Sequence, residues 1–223
     1  MTKRKAAAKR APFVSPRVWP DRVNAPPKSK DILSTAHAQQ PPTSHADVAA
    51  LRSLGISHYR ANRLEEALQI LSKITATAAD CSNFGAVLRS LKRYTEAEAQ
   101  YHEAIARQPD FAVAHYNLAN LLNDLHRSTE AADSFRTAIR YRPDYADAWN
   151  GLGTTLQYQG HLLEAVAAFQ SAIRLKPAWV EAHANLGIAL LGLSHFNEAE
   201  TALQHALEIN PDFPTAHGNL GAV

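Results

Sequence analysis

The feature that most constrains this chain is a period. Glu-Ala recurs at Glu96-Ala97, Glu130-Ala131, Glu164-Ala165 and Glu198-Ala199, and proline at Pro109, Pro143, Pro177 and Pro211, each step being 34 residues. Phe84, Leu118, Leu152, Leu186 and Leu220 keep the same spacing, followed by the small residues Gly85, Ala119, Gly153, Gly187 and Gly221. A bulky residue then returns at Tyr101, Phe135, Phe169 and Leu203, and alanine at Ala104, Ala138, Ala172 and Ala206. Self-similarity at such a period marks an array of small units, none of which can bury its apolar face alone. A weaker copy precedes these, with Leu54-Gly55, Glu66-Ala67 and Leu71 in matching slots. There Ala67 to Ala97 is only 30 residues and the closing proline is missing, so either the loop is shortened or the second helix ends early.

Each unit reads as two helices. Trp149, Leu152, Gly153 and Leu156 recur at i, i+3, i+4, i+7 and give one apolar face to a helix over about Ala146–Gln159. Ala165, Phe169, Ala172 and Ile173 do the same for a second helix over about Leu163–Leu175. Small residues at fixed slots let the two helices approach closely. Thr95-Glu96-Ala97-Glu98 has the form of a capping box. Asp110, Asp144 and Asp212 are expected to cap the next first helix after each proline ends the previous one. The recurring glutamate falls in the first turn of the second helix, where the helix dipole favours it, so its role is structural.

The first 44 residues are different. Seven of the twelve prolines lie there and no glycine does, which leaves no sustained helical or strand period. Met1–Ser44 therefore reads as a disordered, basic, proline-rich tail. Before residue 46 the charge balance is +7, and from residue 46 onward it is −5, so the overall +2 describes neither part. No apolar run approaches a membrane span, and no apolar stretch follows Lys3, Arg4 and Lys5 to make a secretory signal. One cysteine, Cys81, excludes an intrachain disulfide and suits a reducing, cytoplasmic setting.

The pattern Trp149-x-x-Leu152-Gly153, then Ala165, Phe169, Ala172 and Pro177, resembles the tetratricopeptide repeat over about residues 48–223. The strict 34-residue step argues against the pentatricopeptide relatives, whose period is one residue longer. The resemblance implies an all-α solenoid, a right-handed superhelix with first helices on its concave face, following the tail. The units are expected as a degenerate copy at 48–77, copies at 78–111, 112–145, 146–179 and 180–213, and part of a further first helix at 214–223. It also implies a module that holds a peptide or protein, with no cofactor and no catalytic constellation.

In this family the slot before the Leu-Gly pair faces the groove. Here it holds Asn83, Asn117, Asn185 and Asn219, with Gly151 departing and Asn150 beside the gap. Asparagine offers both a donor and an acceptor, so a column of them can bond an extended backbone. The column resembles the asparagine ladder in the repeat region of O-linked N-acetylglucosamine transferases. The alternative is that these amides bond the neighbouring repeat and set superhelical twist. Arg89, Tyr116, Asn120, Asn123, Gln157 and Tyr158 complete the expected peptide-binding set, with Asp124, Asp147, Thr154 and Glu181 as further groove candidates. Only Arg89 is basic, so a clamp for a terminal carboxylate would be incomplete.

Eleven histidines raise a metal site. His115, His183 and His217 occupy the slot of Trp149, however, and successive copies stand too far apart for one zinc ion, so they read as packing residues. Cys81 falls in the same slot. There is no phosphate loop and no nucleophile elbow. Two functions follow as expectations: a cytoplasmic scaffold holding an extended peptide or partner protein, or the N-terminal recognition region of a glycosyltransferase resembling O-linked N-acetylglucosamine transferase. The sequence 215–223 is short and poorly polar for an end cap, which suggests a fragment of a longer protein. Nucleic-acid binding would fall to the basic tail alone, no membrane partner is expected, and nothing sets the oligomeric state.

Overall fold

The computed structural model describes residues 45–221, and the expectation of a disordered segment over residues 1–44 lies outside them. Among the described residues there are eleven helices and no strand. They are α1 (His45–Arg60), α2 (Leu64–Leu71), α3 (Ala78–Ser90), α4 (Tyr94–Arg107), α5 (Ala112–Asp124), α6 (Ser128–Tyr141), α7 (Ala146–Gln159), α8 (Leu162–Leu175), α9 (Val180–Gly192), α10 (Phe196–Ile209) and α11 (Pro214–Leu220). The fold is the all-α repeat solenoid that the period implies. Helices pack as antiparallel pairs, each stacked on the next, and the odd-numbered helices also touch one another from pair to pair. The even-numbered helices make no comparable backbone approach and reach one another only by long side chains, as Arg136 of α6 does to Glu164 of α8 at 3.2 Å, so the array curves with first helices on the inner face and second helices outside.

Apolar slots explain the pairing. Tyr101, Phe135, Phe169 and Leu203 are fully buried, as are Ala104, Ala138, Ala172 and Ala206. Each bulky side chain needs a small residue opposite. A Cβ added to Gly153 would stand 2.6 Å from Phe169 Cε1, where no real Cβ sits. In the α5–α6 pair the matching slot carries Ala119, which packs in one cluster with Phe135. The Phe135 ring lies instead against Gly151 of the next pair, with Cε1 and Cζ each 2.6 Å from where a Cβ would be. That explains the gap in the asparagine column, because a side chain at residue 151 would enter the Phe135 ring.

The short copy is resolved in favour of an early stop. Helix α2 has 8 residues against 14 for α4, α6, α8 and α10. Arg107 Nη1 donates to the carbonyls of Thr75 and Ala76, both at 2.6 Å, and so ties down the connection that lacks a proline.

Capping departs from expectation in two places. Thr95 lies inside α4, whose N-cap is Arg93, and makes no capping box. The capping box is at Thr77 and Asp80, where the Thr77 hydroxyl accepts from the Asp80 amide and the Asp80 carboxylate accepts from the Thr77 amide. Asp110, Asp144 and Asp212 sit one residue too early, and the N-cap positions belong to Phe111, Tyr145 and Phe213, with no side-chain cap. These half-buried aromatic rings are set by packing, and the turn is closed by backbone bonds such as Ala114 N to Phe111 O at 2.9 Å and Ala148 N to Tyr145 O at 3.0 Å.

Within each complete pair the turn has one geometry. Asn62, Lys92, His126, Gly160 and Ser194 all have positive φ, between 57° and 83°. The following amide bonds the carbonyl five residues back, as in Arg93 N to Leu88 O, Arg127 N to Leu122 O and His161 N to Leu156 O, which satisfies carbonyls left open at the helix end. The recurring glutamate stands in the first turn, as the sequence indicates, and pairs with the residue three before it. Arg93 and Arg127 each make two bonds at 2.7 Å to Glu96 and Glu130, and His195 approaches Glu198 at 3.5 Å.

Candidate functional site: the concave groove

The slot shared by Trp149, the histidines and Cys81 has one structural job. His115, His183 and His217 bond through Nε2 to the carbonyls of Pro109, Pro177 and Pro211 at 2.8, 2.8 and 2.6 Å. Trp149 Nε1 donates to Pro143 O at 2.9 Å, and Cys81 Sγ to Thr75 O at 3.7 Å. In every case the acceptor is six residues earlier, at the residue closing the previous pair. Any side chain with a suitably placed donor serves, which accounts for the mixture of imidazole, indole and thiol. Among the described residues no group of three or more histidine, cysteine or acidic side chains could hold a metal ion.

The residues singled out as groove candidates lie on α3, α5, α7, α9 and α11, the first helices of their pairs. A cavity of about 270 Å³ opens there, lined by Ile56, Tyr59 and Arg60 of α1, Asn83 and Ala86 of α3, Val113, Tyr116 and Asn117 of α5, and Tyr145 and Asp147 at the start of α7, with Leu71 of α2. It therefore gathers Asn83, Tyr116 and Asn117 from the expected set. The Tyr116 and Tyr145 rings meet at a 40° tilt with centres 4.9 Å apart, and the Arg142 guanidinium covers the Tyr145 ring at 4.4 Å. Burial pushes both phenols above their ordinary range, so at neutral pH each keeps its proton. Asp147 accepts from Lys176 Nζ at 2.8 Å.

The other candidates are largely engaged within the array. Asn117 Nδ2 donates to Ser82 Oγ at 3.0 Å, Asn185 Nδ2 to Asn150 Oδ1 at 3.3 Å, and Asn123 Nδ2 to Thr155 Oγ1 at 2.8 Å, each joining two consecutive first helices. Asn150 is 1% exposed. Asn120 and Asn219 bond the backbone carbonyls of Tyr116 and Thr215. Arg89 is paired with Asp124 at 2.6 Å. Gln157 is half-buried and Tyr158 is 60% exposed, both towards the end of α7 and outside the cavity. Asn83 is the member of the column that lines the cavity with no hydrogen bond from its side chain to another described residue.

Sequence reasoning missed Tyr59, Val113 and Tyr145 of this wall. A signal for Tyr145 was available: Phe111, Tyr145, Trp179 and Phe213 repeat at the array period just after Pro-Asp or its equivalent. A larger, more open concavity of about 510 Å³ lies between α8, α9 and α10 on the outer side, lined by Arg174, His183, Leu186, Leu190 and His205 among others. The His183 ring there is already committed to Pro177, and the concavity spans one pair and a neighbouring helix. The inner cavity instead joins four successive pairs.

Two family models, each describing the tetratricopeptide repeat, match the chain: one over residues 84–135 and 119–178, the other over 156–222. The chain belongs to the tetratricopeptide repeat family. Among solved structures it is similar to MamA 41-end from Desulfovibrio magneticus RS-1, at 20% identity and a TM-score of 0.64 over 74% of this chain and 95% of that one. It is also similar to YrrB, described as a TPR protein with an unusual peptide-binding site, at 22% identity and a TM-score of 0.63 over 76% and 89%. A third is a thermophilic TPR protein of Thermus thermophilus, TTC0263, at 18% identity and 0.64 over 78% and 97%. At these identities the likeness establishes the fold. No curated protein matches the chain in sequence.

Proposed function

We propose that this protein is an interaction scaffold that holds an extended peptide or a partner's extended segment along its concave face. The observation that carries the reading is the inner cavity, bounded by four consecutive first helices and combining an apolar floor with tyrosine rings and the amide of Asn83, which bonds no other described residue. Peptides of this kind are gripped through their backbone by amides and through alternate side chains by pockets. YrrB, similar in fold, is described as having a peptide-binding site, which fits the same use of the array. The glycosyltransferase reading gains no support from the matched repeats. No helix among the described residues is long and apolar enough to cross a membrane.

The test is selection of peptides on the full chain from a displayed library, followed by calorimetry of one selected peptide. Affinity should fall at least tenfold, about 1.4 kcal/mol, for Tyr116→Ala and for Asn83→Ala, with circular dichroism unchanged. Asn185→Ala should leave affinity intact, because Asn185 serves the α7–α9 contact. Equal binding by the Tyr116 and Asn83 variants would move the site off this cavity.

A further inference from the structure

We infer that the occupant of the concave cavity is a short stretch of the chain's own proline-rich segment, residues 11–30. This rests on the groove reading above and names its ligand. Three tyrosines wall the cavity, Tyr59, Tyr116 and Tyr145, with Ile56, Ala86 and Val113 between them. Aromatic walls of this kind grip proline rings, and a proline-rich strand is already extended, so it loses little freedom on docking. Such a strand has no internal backbone bonds, which leaves its carbonyls for the Asn83 amide and the protonated phenol of Tyr116.

Residues 11–30 supply the complement: Pro12, Pro16, Pro20, Pro26 and Pro27, interleaved with Phe13, Val14, Val18 and Trp19. The charges also match in sign, with a +7 balance before residue 46 against −5 in the array. Inside the cavity Asp147 is paired with Lys176 and Arg60 is a cation, so the attraction comes from the field of the whole array. That field is screened over about 8 Å at physiological salt.

The reach is sufficient. Helix α1 has 16 residues, and the cavity touches it at Ile56, Tyr59 and Arg60, near the end remote from the tail. The run back along α1 is about 24 Å at 1.5 Å per residue. Residues 31–44 span about 43 Å when extended at about 3.1 Å each. A tether of that length also supplies an effective concentration on the order of mM, so a weak intrinsic affinity is enough to keep the segment docked.

Cys81 is fully buried, so a nitroxide attached to a Ser15→Cys variant of the isotope-labelled full chain reports on the segment alone. The expected result is loss of amide signal at Ile56, Val113, Tyr116 and Asn117 relative to the reduced label, with Gln170 and Thr201 on the outer side unaffected. The paired change Pro16→Ala and Pro20→Ala, which alters no residue of a described helix, should restore the signal, and so should Tyr116→Ala. Absent or uniform signal loss would overturn the inference. Loss of equal depth in a mixture of isotope-labelled chain and unlabelled, spin-labelled chain would overturn it in favour of a second copy. Binding of a single-stranded oligonucleotide by a segment that never reaches the groove would give the tail to nucleic acid. A library peptide that binds the groove with no segment signal there would leave the scaffold reading standing and remove this one. The same peptide restoring the amide signals by displacement would support both.

Discussion

Replacing Gly151 by alanine tests whether the Phe135 ring keys two helix pairs together. The new Cβ would stand 2.6 Å from both Cε1 and Cζ of Phe135. Carbon atoms in ordinary contact lie about 3.5–4.0 Å apart, so the ring or the helix must yield by roughly 1 Å. Phe135 is fully buried with Ala119, Ala138, Ala148 and Leu152, and the ring has no route to solvent. Overpacking of a filled core costs about 1–3 kcal/mol, and a trapped ring puts this site near about 3. Alanine returns about 1 kcal/mol because glycine is the poorer helix former. The expected net loss is therefore about 2 kcal/mol. In a neighbour-coupled array unfolding need not be all-or-none, so urea denaturation by circular dichroism should be joined to amide hydrogen exchange in α6 and α7, which reads the local value. A double-mutant cycle with Phe135→Leu isolates the contact: in the leucine background the alanine cost should shrink by at least about 1 kcal/mol. A neutral or stabilising Gly151→Ala in the otherwise unchanged chain would refute the steric argument. A cost undiminished by leucine would exonerate Phe135.

Three further outcomes follow from local geometry. His126→Gly and Lys92→Gly should each stabilise by about 0.5–1 kcal/mol, since both residues hold a left-handed backbone that glycine adopts freely; a fall in melting temperature for both would count against this. Trp149→Phe removes the donor to Pro143 O and should cost about 1 kcal/mol, and an unchanged urea midpoint would mean the indole bond is idle. Burial alone would raise the Asp80 carboxyl, but Arg52, bonding it at 2.5 and 3.0 Å, and Thr77 outweigh burial and hold it below its ordinary range. With the folded value depressed, this stabilisation is complete above the unfolded value of about 4 and is lost as pH falls through the folded value. Asp80→Asn should therefore flatten the acid limb of the stability curve, and an unchanged limb measured by thermal melts would show that other carboxylates set it.

Much of the fold was legible because the array repeats its own arguments. Apolar slots and prolines set the extents of α7 and α8 closely, and Glu-Ala marked the start of every second helix. The turns were less legible. Lys92, His126 and Ser194 carry a positive φ with side chains that give no local sign of it, since packing of the two helices, not residue preference, imposes the bend. The caps misled for a related reason. Asp110 and Thr95 have capping chemistry, but aromatic rings at Phe111 and Tyr145 anchor the chain one residue on, and helix α4 begins before Thr95. At the groove, the asparagine column was visible as a column, while its engagement with the neighbouring repeat stood only as one of two alternatives, and the partners it takes are side chains. Whether Asn117 and Asn185 face a ligand or a neighbour depends on what stands 35 residues earlier, Ser82 and Asn150, and that partnership is a property of stacking.

Gly151 and Phe135 also bear on how such an array is inherited. Most seams in this chain are self-similar, so a whole unit could be duplicated or lost and each new junction would still meet a familiar surface. The seam between α6 and α7 is different. It joins an alanine-bearing unit, whose ring leans outward, to the unit that has given up its asparagine to receive it. Exchanged with any neighbour, the ring would meet an occupied slot. These two units therefore travel as a fixed couple, and they impose an order on the run of full-length units around them.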